Sequence, residues 1–150
     1  MWVDTDACPK QIREILLRTS KRLKICVTFV ANQSVPVRTS ETVRQVLVAD
    51  GADVADNYIA DKVSSNDIVV TQDIPLAARV IQKGAIAIGV RGELFDDSSI
   101  SNRLATRNLM EQFRSAGLDT GGPKPFNQKD IQTFANTLDR TITKCLKSQR

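Results

Sequence analysis

The stretch NDIVVTQD, Asn66 to Asp73, constrains the fold most: it is a short, nearly all-apolar run closed at both ends by turn-forming residues. A strand without polar alternation is buried on both faces, as in the middle of a parallel sheet. Parallel neighbours must be joined by long crossovers, most simply helices.

The chain supplies both kinds of element in alternation. Residues 1 to 5 read as a strand. Pro9 opens a helix that runs to about Arg22, its buried face marked by Ile12, Ile15, Leu16, Thr19 and Leu23. LKICVTFV, Leu23 to Val30, is the second strand, and ANQSVPVRTSE is a loop with room for a short helix near Ser40. VRQVLVADGAD is a strand ending in a turn at Gly51. The helix from Ala52 to Val63 presents Ala55, Tyr58, Ile59 and Val63 on one face. After NDIVVTQD, a helix from Ile74 to Lys83 stops at Gly84, and AIAIGV is the fifth strand. Two helices follow, about 97 to 116 and 127 to 147, joined by GLDTGGPKPF. The second carries the stripe Ile131, Phe134, Ala135, Leu138, Ile142, Cys145 and Leu146, with Asn127 and Asp130 as N-cap and partner. The expected fold is α/β: one domain over 1–150, with an open, mostly parallel five-stranded sheet, helices on both faces and additional C-terminal helices.

A chain of 150 residues, 41% hydrophobic, suits such a domain and buries roughly 70% of its unfolded surface. No run approaches the ~18 apolar residues of a membrane span, and the N-terminus has no signal-peptide pattern. A cytoplasmic protein without a membrane partner is expected. The three cysteines, Cys8, Cys26 and Cys145, are widely spaced and form no C-x-x-C pair, so they read as free thiols. There is no histidine, which removes Ser-His-Asp and Cys-His catalysis together with histidine-ligated zinc. Carboxylates must carry any acid, base or metal chemistry. A net charge of +4 is compatible with a polyanionic partner but is modest.

Ligands of such a sheet bind beyond the carboxyl ends of its strands. Asp4 and Asp6 follow the first strand, Asp53 and Asp56 the third, and Thr71, Gln72 and Asp73 the fourth. Two carboxylates ~4 Å apart repel by ~4 kcal/mol at an effective dielectric near 20, so a convergence of them needs cations or protons. Oxygen ligands without histidine or paired thiols select Mg²⁺ or Mn²⁺, metals suited to phosphodiester cleavage. Asp53, Asp56 and Asp73 equally suit helix N-termini, where aspartate satisfies free N–H groups. Asp4, inside or just after a central strand, has no such explanation. Arg91 follows the fifth strand at the same edge, where it could hold a phosphate. In DTGGPKPF, glycine backbone with Thr120 and Lys124 could hold an anion, although a hinge into the last helix needs the same glycines. Cys8 lies near a helix N-terminus, as a reactive thiol can, but its spacing to Arg13 is one residue short of a phosphatase loop.

The segments WVDTDACP, VANQS, GADVADNYIADKV, VVTQDIPLA, RGELF, NLMEQFRSAG, TGGPKPF and FANTLDR together resemble the YaiI/YqxD-like family of bacterial proteins, over about residues 1 to 142. The resemblance implies a bacterial source and a branch of the PIN-like nuclease superfamily, with a parallel sheet and an acidic metal site that often cuts RNA. It assigns Asp4 as the first-strand metal ligand, Asp53 or Asp56 as the acid at a helix start and Asp73 as the acid after the fourth strand. Asp6 is an added carboxylate of the DTDACP form; Asp96 and Asp97 follow the fifth strand, where a further acid is usual, but no motif fixes either. Thr5 stands where many members have alanine, and no proline precedes Arg91.

The leading expectation is a Mg²⁺- or Mn²⁺-dependent nuclease, with RNA preferred over DNA. Asp4, Asp53 and Asp73 would hold metal, Asp6 and Asp56 would complete the site, and Arg91 would grip phosphate. One alternative keeps the fold as a non-catalytic RNA- or partner-binding module. Another, ranked lower, is a haloacid-dehalogenase-like phosphatase with Asp4 phosphorylated and Asp6 as general acid. It lacks the expected residues after the aspartate pair, which is followed by Ala7, Cys8 and Pro9.

Overall fold

The apolar runs become strands and the amphipathic segments between them become crossovers. A computed structural model describes residues 1–51, 53–118 and 125–148. Along the chain lie β1 (Trp2–Asp4), α1 (Lys10–Leu23), β2 (Val27–Ala31), β3 (Val43–Leu47), α2 (Val54–Lys62), β4 (Ile68–Val70), α3 (Ile74–Gln82), β5 (Ile86–Ile88), β6 (Leu94–Phe95), α4 (Asp97–Ser115) and α5 (Gln128–Ser148). One sheet holds the strands in the order β3-β2-β1-β4-β5-β6, all parallel except β6. Among the described residues no helix is long and apolar enough to cross a membrane.

The order reverses between β1 and β4. Because crossovers keep one hand, reversing direction in the sheet sends helices to the opposite face. One core accordingly joins α1 and α5 to one face through Ile12, Leu16, Phe29, Val70, Phe134 and Leu138. The other joins α2, α3 and the start of α4 to the opposite face through Val30, Ile59, Val69, Leu76, Ala87 and Ile100. Alternation along each strand divides the residues: Ile68 and Val70 belong to the first core and Val69 to the second.

Four local departures from the sequence expectation have physical causes. The sheet has six strands rather than five. Gly89 N–H donates to Glu93 O at 2.8 Å and closes a turn that folds Leu94–Phe95 antiparallel onto β5; two residues are too few for a periodic signal. Leu23 ends α1 instead of opening β2, because the chain turns at Lys24, which adopts a left-handed φ of 54° with its N–H on Ser20 O. No helix forms near Ser40; Ser40 N–H donates to Val43 O and leads into β3. β3 itself is shorter than expected and stops at Leu47. The expected helix start at Ala52 lies outside the described residues.

The start of α5 follows the sequence closely. Asn127 N–H donates to Asp130 Oδ2 at 3.1 Å, and Asp130 N–H donates back to Asn127 Oδ1 at 3.0 Å, a reciprocal cap. Gly92, at φ +90°, lets this helix approach: a Cβ there would lie 2.8 Å from Phe134 N and 2.6 Å from the Thr133 methyl. The Thr137 hydroxyl then donates to Gly92 O at 2.8 Å.

Candidate functional site

The reversal between β1 and β4 leaves a crevice beyond their carboxyl ends, since the chain leaves the two strands toward opposite faces. Asp4 is the last residue of β1. Alternation puts Val3 in the α1/α5 core and Asp4 on the side of α2 and α3. β1 and β4 register Val3 against Val70, so the next pair sets Asp4 beside Thr71. Their side chains meet: the Thr71 hydroxyl donates to Asp4 Oδ2 at 3.0 Å and accepts from Asp73 N–H at 3.0 Å. With its oxygen accepting from the backbone, the single Thr71 proton is directed at the carboxylate. Asp4 is therefore held as an acceptor although only 7% exposed. Burial raises its pKa above the ordinary value; the Thr71 bond opposes that shift, and the charges of Asp6 and Asp73 add to it.

Asp73 is the N-cap of α3, its Oδ1 accepting from Leu76 N–H at 3.0 Å, with Pro75 in the first turn. Capping uses one oxygen and leaves the other for the crevice. Asp56, in the first turn of α2, meets Asp73 there. Burial first, then a hydrogen bond from carboxyl to carboxyl with Asp73, then the charges of Asp73, Asp4 and Asp53 push the Asp56 pKa up to about 7. Asp56 therefore holds its proton up to near neutral pH.

These groups line a cleft of about 390 Å³ with Asp6, Asn32, Gly51, Gln72, Ile74 and Arg107. Gln72 accepts from Val90 N–H through Oε1 at 3.1 Å, which leaves its amide hydrogens to donate. A larger groove of about 880 Å³ lies between α1 and α5, lined in part by Arg18, Lys21, Arg22 and Asp139. The smaller cleft is the stronger candidate, because four carboxylates from three strand ends converge on it.

The structure brings together Asp4, Asp6, Asp56 and Asp73. Asp53 stands at the exposed N-cap position of α2 without a capping bond and does not line the cleft; its charge still acts on Asp56. Arg91 lies elsewhere: its guanidinium donates to Asp130 Oδ2 at 2.7 Å and sits over the Phe126 ring at 5.7 Å, fastening the start of α5. Thr120 and Lys124 lie outside the described residues. Asp96 caps α4, accepting from Ser99 N–H and the Ser98 hydroxyl at 2.8 Å each, which holds its carboxyl below the usual range. Cys8 is buried, and burial pushes its thiol up to about 12; Arg13 donates to the Cys8 carbonyl. Cys8, Cys26 and Cys145 are all free. Asn32, which directly follows β2 and obeys the same strand-end rule, was not singled out by sequence; Arg107, which α4 delivers from far along the chain, reads from sequence only as one of several basic residues on a helical surface, which clustering in three dimensions alone could make a nucleic-acid track.

The donor set suits a hard divalent cation: carboxylate oxygens, amides, and no histidine or thiol at the cleft. The raised pKa of Asp56, caused by burial and by the neighbouring carboxylates, marks where positive charge would relieve repulsion. Among the described residues no group of three or more His, Cys, Asp or Glu side chains is placed to close on one metal ion. Asp4 is held by Thr71 and Asp73 by the α3 backbone.

A family model described as "Uncharacterized BCR, YaiI/YqxD family" matches residues 2–144. A UPF0178 protein of Marinomonas sp. (strain MWYL1) is 50% identical over 147 residues, 98% of this chain and 99% of that one. The UPF0178 protein of Psychromonas ingrahamii is 49% identical over 148 residues, 99% and 98% of the two chains. That of Hydrogenovibrio crunogenus is 49% identical over 144 residues, 96% and 95%. No solved structure matches this chain.

Proposed function

The chain belongs to the YaiI/YqxD family, and we propose that it is a PIN-like, Mg²⁺- or Mn²⁺-dependent nuclease that hydrolyses phosphodiester bonds, preferentially in RNA. The observation that carries this reading is the meeting of Asp4, Asp56 and Asp73 in one cleft at the strand-order reversal, where burial and neighbouring carboxylates push Asp56 up to about 7. A purely structural cap has no use for a second carboxyl pressed against it.

Asp4, Asp56 and Asp73 would hold the cation, with Asp6 at the exposed side. Bound there, Mg²⁺ or Mn²⁺ supplies Lewis acidity toward a phosphoryl oxygen and lowers the pKa of water. The chain's own groups fix the geometry. Thr71 orients Asp4, and the α3 N-terminus orients Asp73, so the closing of the acids onto one cation would start from two carboxylates already held by one oxygen each. Asn32 and the Gln72 amide offer neutral donors to phosphate or sugar oxygens, and Arg107 is the cation of the cleft lining. The proton on Asp56 must leave before that carboxylate can bind metal, so metal affinity rises with pH through about 7.

Calorimetric titration of Mn²⁺ tests the site without a guess about substrate. Asn is as good an N-cap as Asp, so Asp73→Asn keeps α3 intact while removing a ligand charge. The wild type is expected to bind saturably, and Asp73→Asn to weaken binding by on the order of 100-fold, more than loss of an outer-shell partner costs. Circular dichroism serves as the fold control. Equal binding by both proteins, or none by either, sinks the metal site. Metal binding without cleavage of any single-stranded RNA in a mixed pool would instead favour the non-catalytic binding module.

A further inference from the structure

The acid cleft does not end at Arg107. A second groove of about 550 Å³ adjoins it, sharing Ile74 and Arg107 as walls and continuing along α4 past Ser99, Asn102, Arg103 and Thr106. Positions 99, 102, 103, 106 and 107 recur at i, i+3, i+4, i+7 and i+8, the spacing that usually marks a buried apolar face. Here the stripe consists entirely of hydrogen-bond donors. It contains two guanidinium groups and no carboxylate, beside a cleft that contains four.

We propose that this face of α4 is a binding track for the phosphate backbone of a single-stranded nucleic acid, which it feeds into the acid cleft. Arg103 and Arg107 stand one helical turn apart, about 6 Å along the axis, a step comparable to one nucleotide of an extended strand. Arg103 lies over the buried Phe95 ring at 5.2 Å and 3.6 Å from Glu93, which is 28% exposed, a long contact that leaves the guanidinium itself 46% exposed. Arg107 pairs with Glu111 at 3.0 Å, both about half-exposed. An exposed pair such as the second contributes little, so its exchange for phosphate is favourable. The cleft's 390 Å³ is in the range of small-molecule sites and admits one nucleotide unit at a time. The strand therefore lies along the cations and presents a single phosphodiester to the acids. The functional meaning of the track rests on the nuclease reading, but its occupancy does not.

Fluorescence anisotropy of labelled twelve-residue uridine and thymidine strands, in EDTA and over a range of salt, tests the track without metal or turnover. The track's donors meet phosphate, so both strands are expected to bind wild type. The double variant Arg103→Glu/Arg107→Glu should weaken binding by about tenfold or more, and Arg103→Gln/Arg107→Gln should lower the salt slope by about 1.4, two contacts at ~0.7 each. Lys21→Glu/Arg22→Glu places the same charge reversal on α1, in the larger groove across the sheet, and should stay within about twofold of wild type. Absence of strand binding by wild type, an equal loss in both charge-reversal variants, or competition by uridine monophosphate as effective as that of the strand overturns the track. If Mn²⁺ binding fails while strand binding follows this pattern, the metal-nuclease reading falls and the track stands.

Discussion

The sheet face covered by α1 and α5 and the edge where β1 and β4 part are built from the same strands and serve opposite ends. On the first, Phe29, Phe134, Leu16 and Leu138 are at most 1% exposed and fit together without a charge between them. On the second, adjacent residues of those strands give way to Asp4 and Thr71, and their crossovers bring Asp56 and Asp73. The two long C-terminal helices repeat the contrast. α5 buries Phe134, Leu138 and Ile142 of its expected stripe and half-buries Ile131, Ala135 and Cys145, while Leu146 at its end is exposed; of α4, Ile100 is the only buried residue. Packing is the source of stability in one region; in the other, repulsion is retained at its expense, as at sites arranged for chemistry.

The largest expected effect breaks the first region. Phe134→Ala should cost about 3–5 kcal/mol, read from urea denaturation, because the ring is fully buried between α5 and the sheet. Phe113→Ala, on the 37%-exposed side of α4, should fall within about 0.5 kcal/mol of wild type. Similar losses at both positions would mean that α4 is packed as α5 is, and the contrast would fail.

Two arginines sharpen the comparison at a smaller scale. Arg91→Ala should lower stability by about 1 kcal/mol, since it frees Asp130 and loosens the start of α5, and should leave kcat/KM for an RNA strand unchanged. Arg107→Ala should do the reverse, raising KM with little change in urea midpoint. A loss of activity in Arg91→Ala with Arg107→Ala intact would return phosphate binding to the position that sequence alone suggested.

That exchange shows what the sequence made legible. Elements with a sustained period were readable: the stripe of α5, the Asn127/Asp130 cap and the uninterrupted apolar run of β4 each contain their own signal. The acids were readable for a different reason, because strand ends in an open parallel sheet share one edge. The missing information concerned contacts between distant segments. Arg91 and Arg107 are alike as letters; only the docking of α5 on Gly92 and the approach of α4 to Ile74 decide which one meets the acids. Asp53 and Asp56 lay a single turn apart, and the register of α2 against α3 selected Asp56. At Asp73, capping does not rule out a second role, since the cap bond uses Oδ1 alone.

The smallest effect concerns the proton at Asp56. Its pKa is about 7 in the folded protein against 3.8 as the ordinary value, so between about pH 4 and pH 7 the native state holds more proton than the unfolded state. Stability from this group is present at low pH and is lost as pH rises through about 7. Asp56→Asn keeps a donor toward Asp73 and has no charge to lose. Its melting temperature should match wild type below about pH 4, where Asp56 is protonated in both states, and exceed it by a few degrees at pH 8. A residual slope should remain, because burial raises Asp4 in the same direction. Saturating Mn²⁺ should reverse the order at pH 8, since a ligand that binds only the native state stabilises only the protein that retains its site. Parallel melting curves for the two proteins across this range would overturn the raised pKa of Asp56. The carboxylates would then lie too far apart to oppose folding, and the edge between β1 and β4 would be no less relaxed than the core beneath α5.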